Sequence, residues 1–339
     1  MEILENYDLK KLNTFGVLAR ARYFVRLENA GDIIDFIRNK EFQYHKLLIL
    51  NGGSNILFTR DFDGLVVKIN NSGYSVVGEK RNEGLFTVNA GENWDHFVQE
   101  TLRMGYGGLE NLSMIPGNAG AAPIQNIGAY GVEQKDVFES LEAIHINTGK
   151  VRTFPAIECE FGYRYSIFKG RLKGKYIILS VDYRLSKNHV PKIEYGAIKQ
   201  ELRNTGADKS PTPDHVAQAV RNIRSSKLPD PDELGNAGSF FKNPVVSKNK
   251  FDELSGKYPD LAAWPMEDGS YKLAAGWLID KLGWKGVRRG DAGVCETQAL
   301  VLVNYGNATG TEIYDLAMDI CNSVSEKYGI MLEPEVNIV

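Results

Sequence analysis

The sequence predicts an α+β protein of two domains, and three observations carry that expectation. Its 339 residues amount to about two domains at ~150 residues each. Strand-like and helix-like periodicities are mixed along the chain, without the regular β-α-β-α succession of a parallel α/β fold. A polar stretch at 186–212, broken by Pro191 and Pro211, suits a domain connection, which places the domains at 1–205 and 206–339.

Each element has its own signal. RYFVRL at 22–27 is strand-like, and Asn29 then caps a helix with Ile33, Phe36 and Ile37 on one face. KLLIL at 46–50, LVVKI at 65–69 and LFTVNA at 85–90 read as strands; Asn93 opens a second helix through Trp94, Phe97 and Leu102. Partial alternation at 142–146, 151–154 and 176–185 fits half-buried antiparallel strands. Beyond the connection, Val216, Val220 and Ile223 mark a helix, 228–244 a Gly/Pro/Asn loop, and 273–282 another helix. ALVLVNY at 299–305 reads as a buried strand, and Ile313, Leu316, Ile320 and Val324 as the apolar face of a long helix. The tail IMLEPEVNIV is strand-like.

Composition narrows the function. Lys+Arg 40 against Asp+Glu 43 gives a net charge of −3, which argues against nucleic acid as a partner. Cys159, Cys295 and Cys321 lack C-x-x-C spacing and read as reduced cytosolic thiols. His45, His96, His145, His189 and His215 show no ligand spacing, so no metal is expected. The opening MEILENYDLK carries charge where a signal peptide needs apolar residues, and no run approaches the roughly 18 apolar residues of a membrane span. A cytoplasmic protein is expected.

The 34 glycines exceed the usual share and are partly concentrated in two places. Asn51-Gly52-Gly53-Ser54-Asn55 follows a strand, where consecutive glycines let backbone N–H groups converge on an anion. The same residues fit a hairpin turn equally well. Residues 111–131 (NLSMIPGNAGAAPIQNIGAYG) hold four Gly, four Ala, two Pro and no charge in 21 positions. A flat cofactor bound through backbone donors would explain so many small residues; the alternative is a loop packed under neighbouring strands. Neither segment is a dinucleotide-binding or P-loop motif.

Four further candidates stand on side chains. Arg164, between Tyr163 and Tyr165, suits bidentate capture of a carboxylate, or is simply an exposed strand residue. Arg221, Arg224 and Lys227 offer cations to phosphate or form a solvated face. Ser239, between small residues and Phe240-Phe241, could donate a proton or could be a turn serine; no G-x-S-x-G spacing or histidine base supports a hydrolase. Glu333 and Glu335 share a face if the tail is a strand.

In this order NTFG (13–16), GGSN, IPGNAGAAPIQNIGAYG, GYRYS, GNAGSFFKNP, KLAAGWLID and LEPEV resemble the UDP-N-acetylenolpyruvoylglucosamine reductase family over nearly the whole chain. KLAAGWLID and Glu194-Tyr195-Gly196 match its longer, first subclass. The resemblance implies an FAD-binding domain of the vanillyl-alcohol-oxidase (PCMH) type with two subdomains, then a substrate-binding domain whose tail, 330–339, returns to the active site. It implies noncovalent FAD against Gly52, Gly53, Ser54, Asn55, Pro116, Gly117, Gly120, Pro123, Asn126, Gly128, Ala129, Tyr130 and Gly131. Arg164, Ser239 and Glu335 match the catalytic set, and Tyr195, Lys227, Asn243 and Gln298 the UDP-sugar ligands. NADPH would be the co-substrate, UDP-N-acetylglucosamine enolpyruvate the acceptor, and the enzyme a monomer.

That chemistry suits those residue types. Hydride delivered to the enolpyruvyl methylene carbon leaves charge on the adjacent carbon and its carboxylate, where Arg164 and a protonated Glu335 would stabilise it. Ser239 would then protonate the carbon. One departure is Trp264, standing where the first subclass has a tyrosine over the substrate: the stacking face is larger and the hydroxyl is gone. Two other readings compete. A sugar- or alcohol-oxidising flavoenzyme would usually carry a His or Cys for covalent flavin, absent from GGSN and IPGNAG, and a non-catalytic nucleotide-sugar module need not keep Arg164, Ser239 and Glu335 together.

Overall fold

In the computed structural model, residues 2–39 and 46–339 are described, so His45 lies outside the described residues. The chain forms two units, each discontinuous in sequence. The first comprises Met1–Tyr7, Ala21–Gly52 and Asp63–Ser226; the second comprises Asp8–Arg20, Gly53–Phe62 and Lys227–Val339.

The first unit contains two sheets. One has four strands in the order Ile3–Asp8, Arg20–Leu27, Phe62–Ile69, Leu47–Leu50, and its last pair is parallel with Leu50 opposite Lys68. Phe62–Ile69 is an inner strand, which accounts for its unbroken apolar run: Leu65, Val66 and Val67 are fully buried. Helix α1 (Ala30–Arg38) begins where the Asn29 side chain accepts the Asp32 N–H, and it buries Ile33, Phe36 and Ile37. The second sheet is antiparallel, in the order Val151–Pro155, Phe138–His145, Tyr176–Ser186, Glu83–Asn89, Tyr74–Lys80. Helix α2 (Trp94–Arg103), capped by Asn93, packs Trp94 edge-on to Tyr183 at 5.7 Å and Phe97 edge-on to Phe86 at 6.2 Å. Burial of each such ring contributes about 1.5–3 kcal/mol.

Two expectations change within this unit. The polar connection at 186–212 contains helix α3 (Gly196–Asn204). Helix α4 (Pro213–Lys227) lays Val216, Val220 and Ile223 against Ile198 and Leu202 of α3. That shared apolar cluster holds 206–226 with the first unit, so the division falls at 226/227 rather than near 205, and 8–20 and 53–62 belong to the second unit.

The second unit has a four-stranded antiparallel sheet in the order Gly235–Ser239, Val301–Asn304, Ala292–Val294, Arg288–Arg289. Its first strand lies inside the stretch expected to be loop. A smaller sheet runs Val245–Val246, Tyr271–Leu273, Ala263–Pro265. Helices α5 (Lys248–Lys257), α6 (Ala275–Lys281) and α7 (Gly310–Tyr328) complete the unit. The α7 face is the expected one, with Ile313, Leu316, Ile320 and Val324 buried. Of the tail, only Asn337–Ile338 is strand, paired in parallel with Ile56–Leu57.

Asn13-Thr14-Phe15-Gly16 ties this second unit together. Asn13 Nδ2 donates to the carbonyls of Leu9 (2.9 Å) and Val17 (3.1 Å), closing its own turn. Thr14 N–H bonds to the Gly53 carbonyl at 3.1 Å, the Thr14 carbonyl accepts Asn236 N–H at 3.0 Å, and Asn304 Nδ2 donates to the Phe15 carbonyl at 2.9 Å. The motif thus joins three distant stretches through the backbone.

Candidate functional site

The first glycine-rich segment is no hairpin. Leu47–Leu50 pairs with Phe62–Ile69, whereas Ile56–Leu57 pairs with the tail, so the strands on either side of Gly52-Gly53 go to different partners. Both glycines are required by close approach. A Cβ on Gly52 would lie 2.7 Å from Gly117 Cα, and one on Gly53, at φ +66°, would lie 1.9 Å from the Leu12 carbonyl oxygen. The Gly52 contact brings the two glycine-rich segments together within the first unit.

The segment 111–131 is irregular, with left-handed backbone at Met114 (φ +57°), Asn126 (+46°) and Tyr130 (+52°). Part of its small-residue content is packing, because a Cβ on Gly120 would meet Ala90 Cβ at 2.4 Å. The Asn126 side chain is committed to the protein: Nδ2 donates to Glu133 (2.9 Å) and to the Gly162 carbonyl (3.1 Å), and Oδ1 accepts from Gln134 and from Lys135 N–H. Among the expected cofactor ligands, Asn126 and Gly120 thus also have packing and hydrogen-bonding tasks within the protein itself.

Arg164 is in a turn, not a strand. Gly162 and Tyr165 exchange two backbone hydrogen bonds of 3.1 Å, and Arg164 occupies the turn at φ +52°. The turn is stitched to 111–131 at several points: Arg164 Nη1 donates to the Gly128 carbonyl (3.0 Å), Ser166 Oγ to the Ile124 carbonyl (2.6 Å), and Lys169 Nζ to Gln125 Oε1 (3.2 Å). Sequence-distant GYRYS and PIQNIGAYG (123–131) are thus one local structure of the first unit. The three cations of α4 do not form a patch. Arg221 pairs with Asp95 at 2.7 Å, Lys227 is exposed, and burial pushes the Arg224 guanidinium down while the Tyr130 phenol beside it opposes the shift. Tyr195 meets Tyr130 edge-on at 5.3 Å.

In the second unit the chain lays Ser239 beside the tail. Ser239 ends its strand opposite Val301, past a register shift after Asn236, and is exposed while Phe240 and Phe241 are buried. Such bulges re-aim a side chain out of the pleat. The Phe240 carbonyl accepts Glu335 N–H at 2.7 Å, and Lys242 N–H donates to the Glu333 carbonyl at 2.9 Å, so the end of the Ser239 strand and the half-buried Glu335 of the tail run side by side around a single Phe241–Pro334 bridge. Glu333 does not share that role: it is exposed and paired with Lys242 Nζ at 2.8 Å. Asn243 Oδ1 accepts Ala275 N–H (3.0 Å) at the start of α6, where Gln298 also lies, its Oε1 3.2 Å from where a Gly276 Cβ would be. Lys227 is tied to that neighbourhood by its carbonyl, which accepts from Thr297 Oγ1 at 2.8 Å. Trp264 is exposed on Ala263–Pro265, with Lys272 opposite.

Two atoms test whether the first unit fits a polar cofactor. Asn51 Oδ1, next to the Gly52–Gly117 approach, and Arg224 Nε, beside Tyr130, are buried without hydrogen-bond partners among the described residues. Buried polar atoms are normally satisfied, so the arrangement fits a ligand that brings donors and acceptors. The sequence reading did not single out the Asn51 side chain, nor Lys68, whose Nζ donates to the Asn51 carbonyl. Proximity to the glycines flags Asn51; nothing in the local sequence flags Lys68. No cluster of metal-ligating side chains exists among the described residues.

Comparison with known proteins finds two family profiles, one towards each end of the chain. A family profile described as an FAD binding domain matches residues 21–154, and one described as the C-terminal domain of UDP-N-acetylenolpyruvoylglucosamine reductase matches 230–339. The chain is 47% identical to the proteins of that name from Flavobacterium johnsoniae and Amoebophilus asiaticus, over 100% of both chains in each case. The solved reductase of Thermus caldophilus superposes with TM-score 0.67 at 25% identity, covering 99% of this chain and 98% of that one. 6-Hydroxy-D-nicotine oxidase of Arthrobacter nicotinovorans shares the fold, with TM-score 0.53 at 13% identity over 97% of this chain and 86% of its own.

Proposed function

Because the chain belongs to the UDP-N-acetylenolpyruvoylglucosamine reductase family, FAD-dependent oxidoreductases of peptidoglycan synthesis, we propose that it reduces UDP-N-acetylglucosamine enolpyruvate with electrons from NADPH and that Ser239 supplies the closing proton. The observation that carries the assignment of Ser239 is its placement beside Glu335, through the hydrogen bond from Glu335 N–H to the Phe240 carbonyl.

FAD, when bound, supplies two-electron chemistry, relaying hydride from NADPH to the methylene carbon of the enolpyruvyl group. Gly52, Gly53, Ser54 and Asn55, with Pro116, Gly117, Gly120, Pro123, Asn126, Gly128, Ala129, Tyr130 and Gly131, would hold it, and Asn126 and Gly120 would also shape their segment. As hydride adds, negative charge develops on the adjacent carbon and its carboxylate. Arg164, fixed by its bond to the Gly128 carbonyl, presents a cation of set orientation to that charge. The Glu335 carboxyl supplies a second polar group. Ser239 Oγ then gives its proton to the carbon, which completes the saturated lactyl ether. Tyr195, Lys227, Asn243, Gln298 and Trp264 would hold the UDP-sugar. A monomer working in the cytoplasm belongs to the same proposal, and three buried, unpaired cysteines support a reducing compartment.

The test is anaerobic. NADPH should bleach the flavin absorbance, and UDP-N-acetylglucosamine enolpyruvate should restore it. Ser239→Ala should keep the first step and slow the second by about 10²–10⁴-fold, the usual worth of a general acid. A flavin that bleaches but is not reoxidised by the enolpyruvyl substrate refutes the assignment; a Ser239→Ala variant with normal turnover refutes the role of the serine.

A further inference from the structure

The glycine-rich turn at 51–55 contains no cation, yet one is fastened to it from the neighbouring strand. Lys68 stands opposite Leu50 in the parallel pair of the first sheet, and its half-buried Nζ donates to the carbonyl of Asn51, the first residue of the turn. The next residue is Gly52, whose approach to Gly117 leaves no room for a Cβ. The Asn51 side-chain oxygen is buried without a hydrogen-bond partner among the described residues.

We infer that Lys68 is a positioning residue for the cofactor: its ammonium holds the Asn51 carbonyl, keeps Gly52 against Gly117, and places a positive charge behind the turn for the pyrophosphate of FAD. The inference rests on the proposed binding of FAD by this turn. Its physical basis is that consecutive backbone N–H groups after a strand attract an anion, and a half-buried cation strengthens that attraction more than a solvated one does. Converting the Asn51 carbonyl into the acceptor of a charged donor also fixes the direction of the Asn51–Gly52 peptide.

The charge has a pH signature. Burial pushes the Lys68 ammonium down to about 8, and Arg26 on the adjacent strand Arg20–Leu27 pushes the same way while Glu28 opposes it. The strand on the other side, Leu47–Leu50, presents only apolar side chains. An anion bound nearby favours the protonated form, so FAD affinity should fall as pH rises through about 8.

The experiment titrates apo-protein with FAD from about pH 6.5 to about pH 9, spanning the lowered lysine value. Lys68→Met should weaken FAD about tenfold at neutral pH, the scale of a lost charge-assisted hydrogen bond, and should abolish the pH slope. Lys68→Arg should keep the neutral affinity and lose the slope, because a guanidinium does not titrate in this range. The Arg variant carries the test should the Met variant fail to fold. Affinity and slope unchanged in the variants overturn the inference alone; wild-type protein that takes up no FAD overturns the cofactor reading beneath it.

Discussion

At Arg164, function and backbone geometry pull against each other. A left-handed conformation costs an L-residue about 1–2 kcal/mol, and Arg164 holds one at φ +52°. The bond from Nη1 to the Gly128 carbonyl offsets part of that cost and uses the same guanidinium assigned to the substrate. Arg164→Gly relieves the backbone while removing the cation. Its expected outcome is an unfolding free energy within about 1 kcal/mol of wild type, by denaturant titration, with reduction of the enolpyruvyl group lost and flavin bleaching retained. Loss of folding in this variant would contradict the conformational argument. Composition showed an arginine between tyrosines but not the turn that holds it, because a positive φ at a non-glycine residue leaves no mark in residue type. Asn126 was legible as part of an uncommon loop, whereas its commitment to Glu133 and Gly162 depends on contacts the sequence does not display.

Elements were legible where burial is one-sided and continuous. Helix α7 shows this: its buried face follows helical spacing, and its start carries a capping box, with Thr309 Oγ1 accepting Glu312 N–H (3.2 Å) and Glu312 Oε2 accepting Thr309 N–H (2.7 Å). Thr309→Ala should therefore cost about 1 kcal/mol in denaturant unfolding, and Thr309→Ser should restore most of it. An unchanged midpoint in the alanine variant would mean the box contributes nothing. Elements with little buried apolar surface escaped the reading. Helix α3 buries only Ile198 and Leu202, and the strand Tyr74–Lys80 is exposed at every position but its first, so neither has a clear apolar period. The strand Gly235–Ser239 is built of glycine, asparagine, alanine and serine; composition reads as loop what backbone pairing to Val301–Asn304 makes a strand.

At the scale of the molecule, the family motifs are distributed over units that interleave along the chain. The sequence reading placed one boundary because composition changes near 205, and composition cannot register that 8–20 and 53–62 fold with 227–339. Asn13-Thr14-Phe15-Gly16 was legible only as a resemblance; its hydrogen bonds to Gly53, Asn236 and Asn304 give it a structural task. The tail depends on the same arrangement. Val339 N–H bonds to the Leu57 carbonyl at 2.9 Å, and the Val339 carbonyl accepts Thr59 N–H at 2.7 Å. Deleting 337–339 should lower the thermal midpoint and reduce turnover by loosening Glu335, with NADPH-dependent flavin bleaching preserved. A deletion variant with wild-type turnover would detach the tail pairing from catalysis.

That pairing also bears on how the protein is made. Ile56, Leu57 and Phe58 leave the ribosome long before Asn337 and Ile338, with the whole of 63–226 synthesised in between. During translation this greasy stretch has no mate, so it is the natural foothold for a chaperone, and a nascent chain stalled before its last strand would be left sticky.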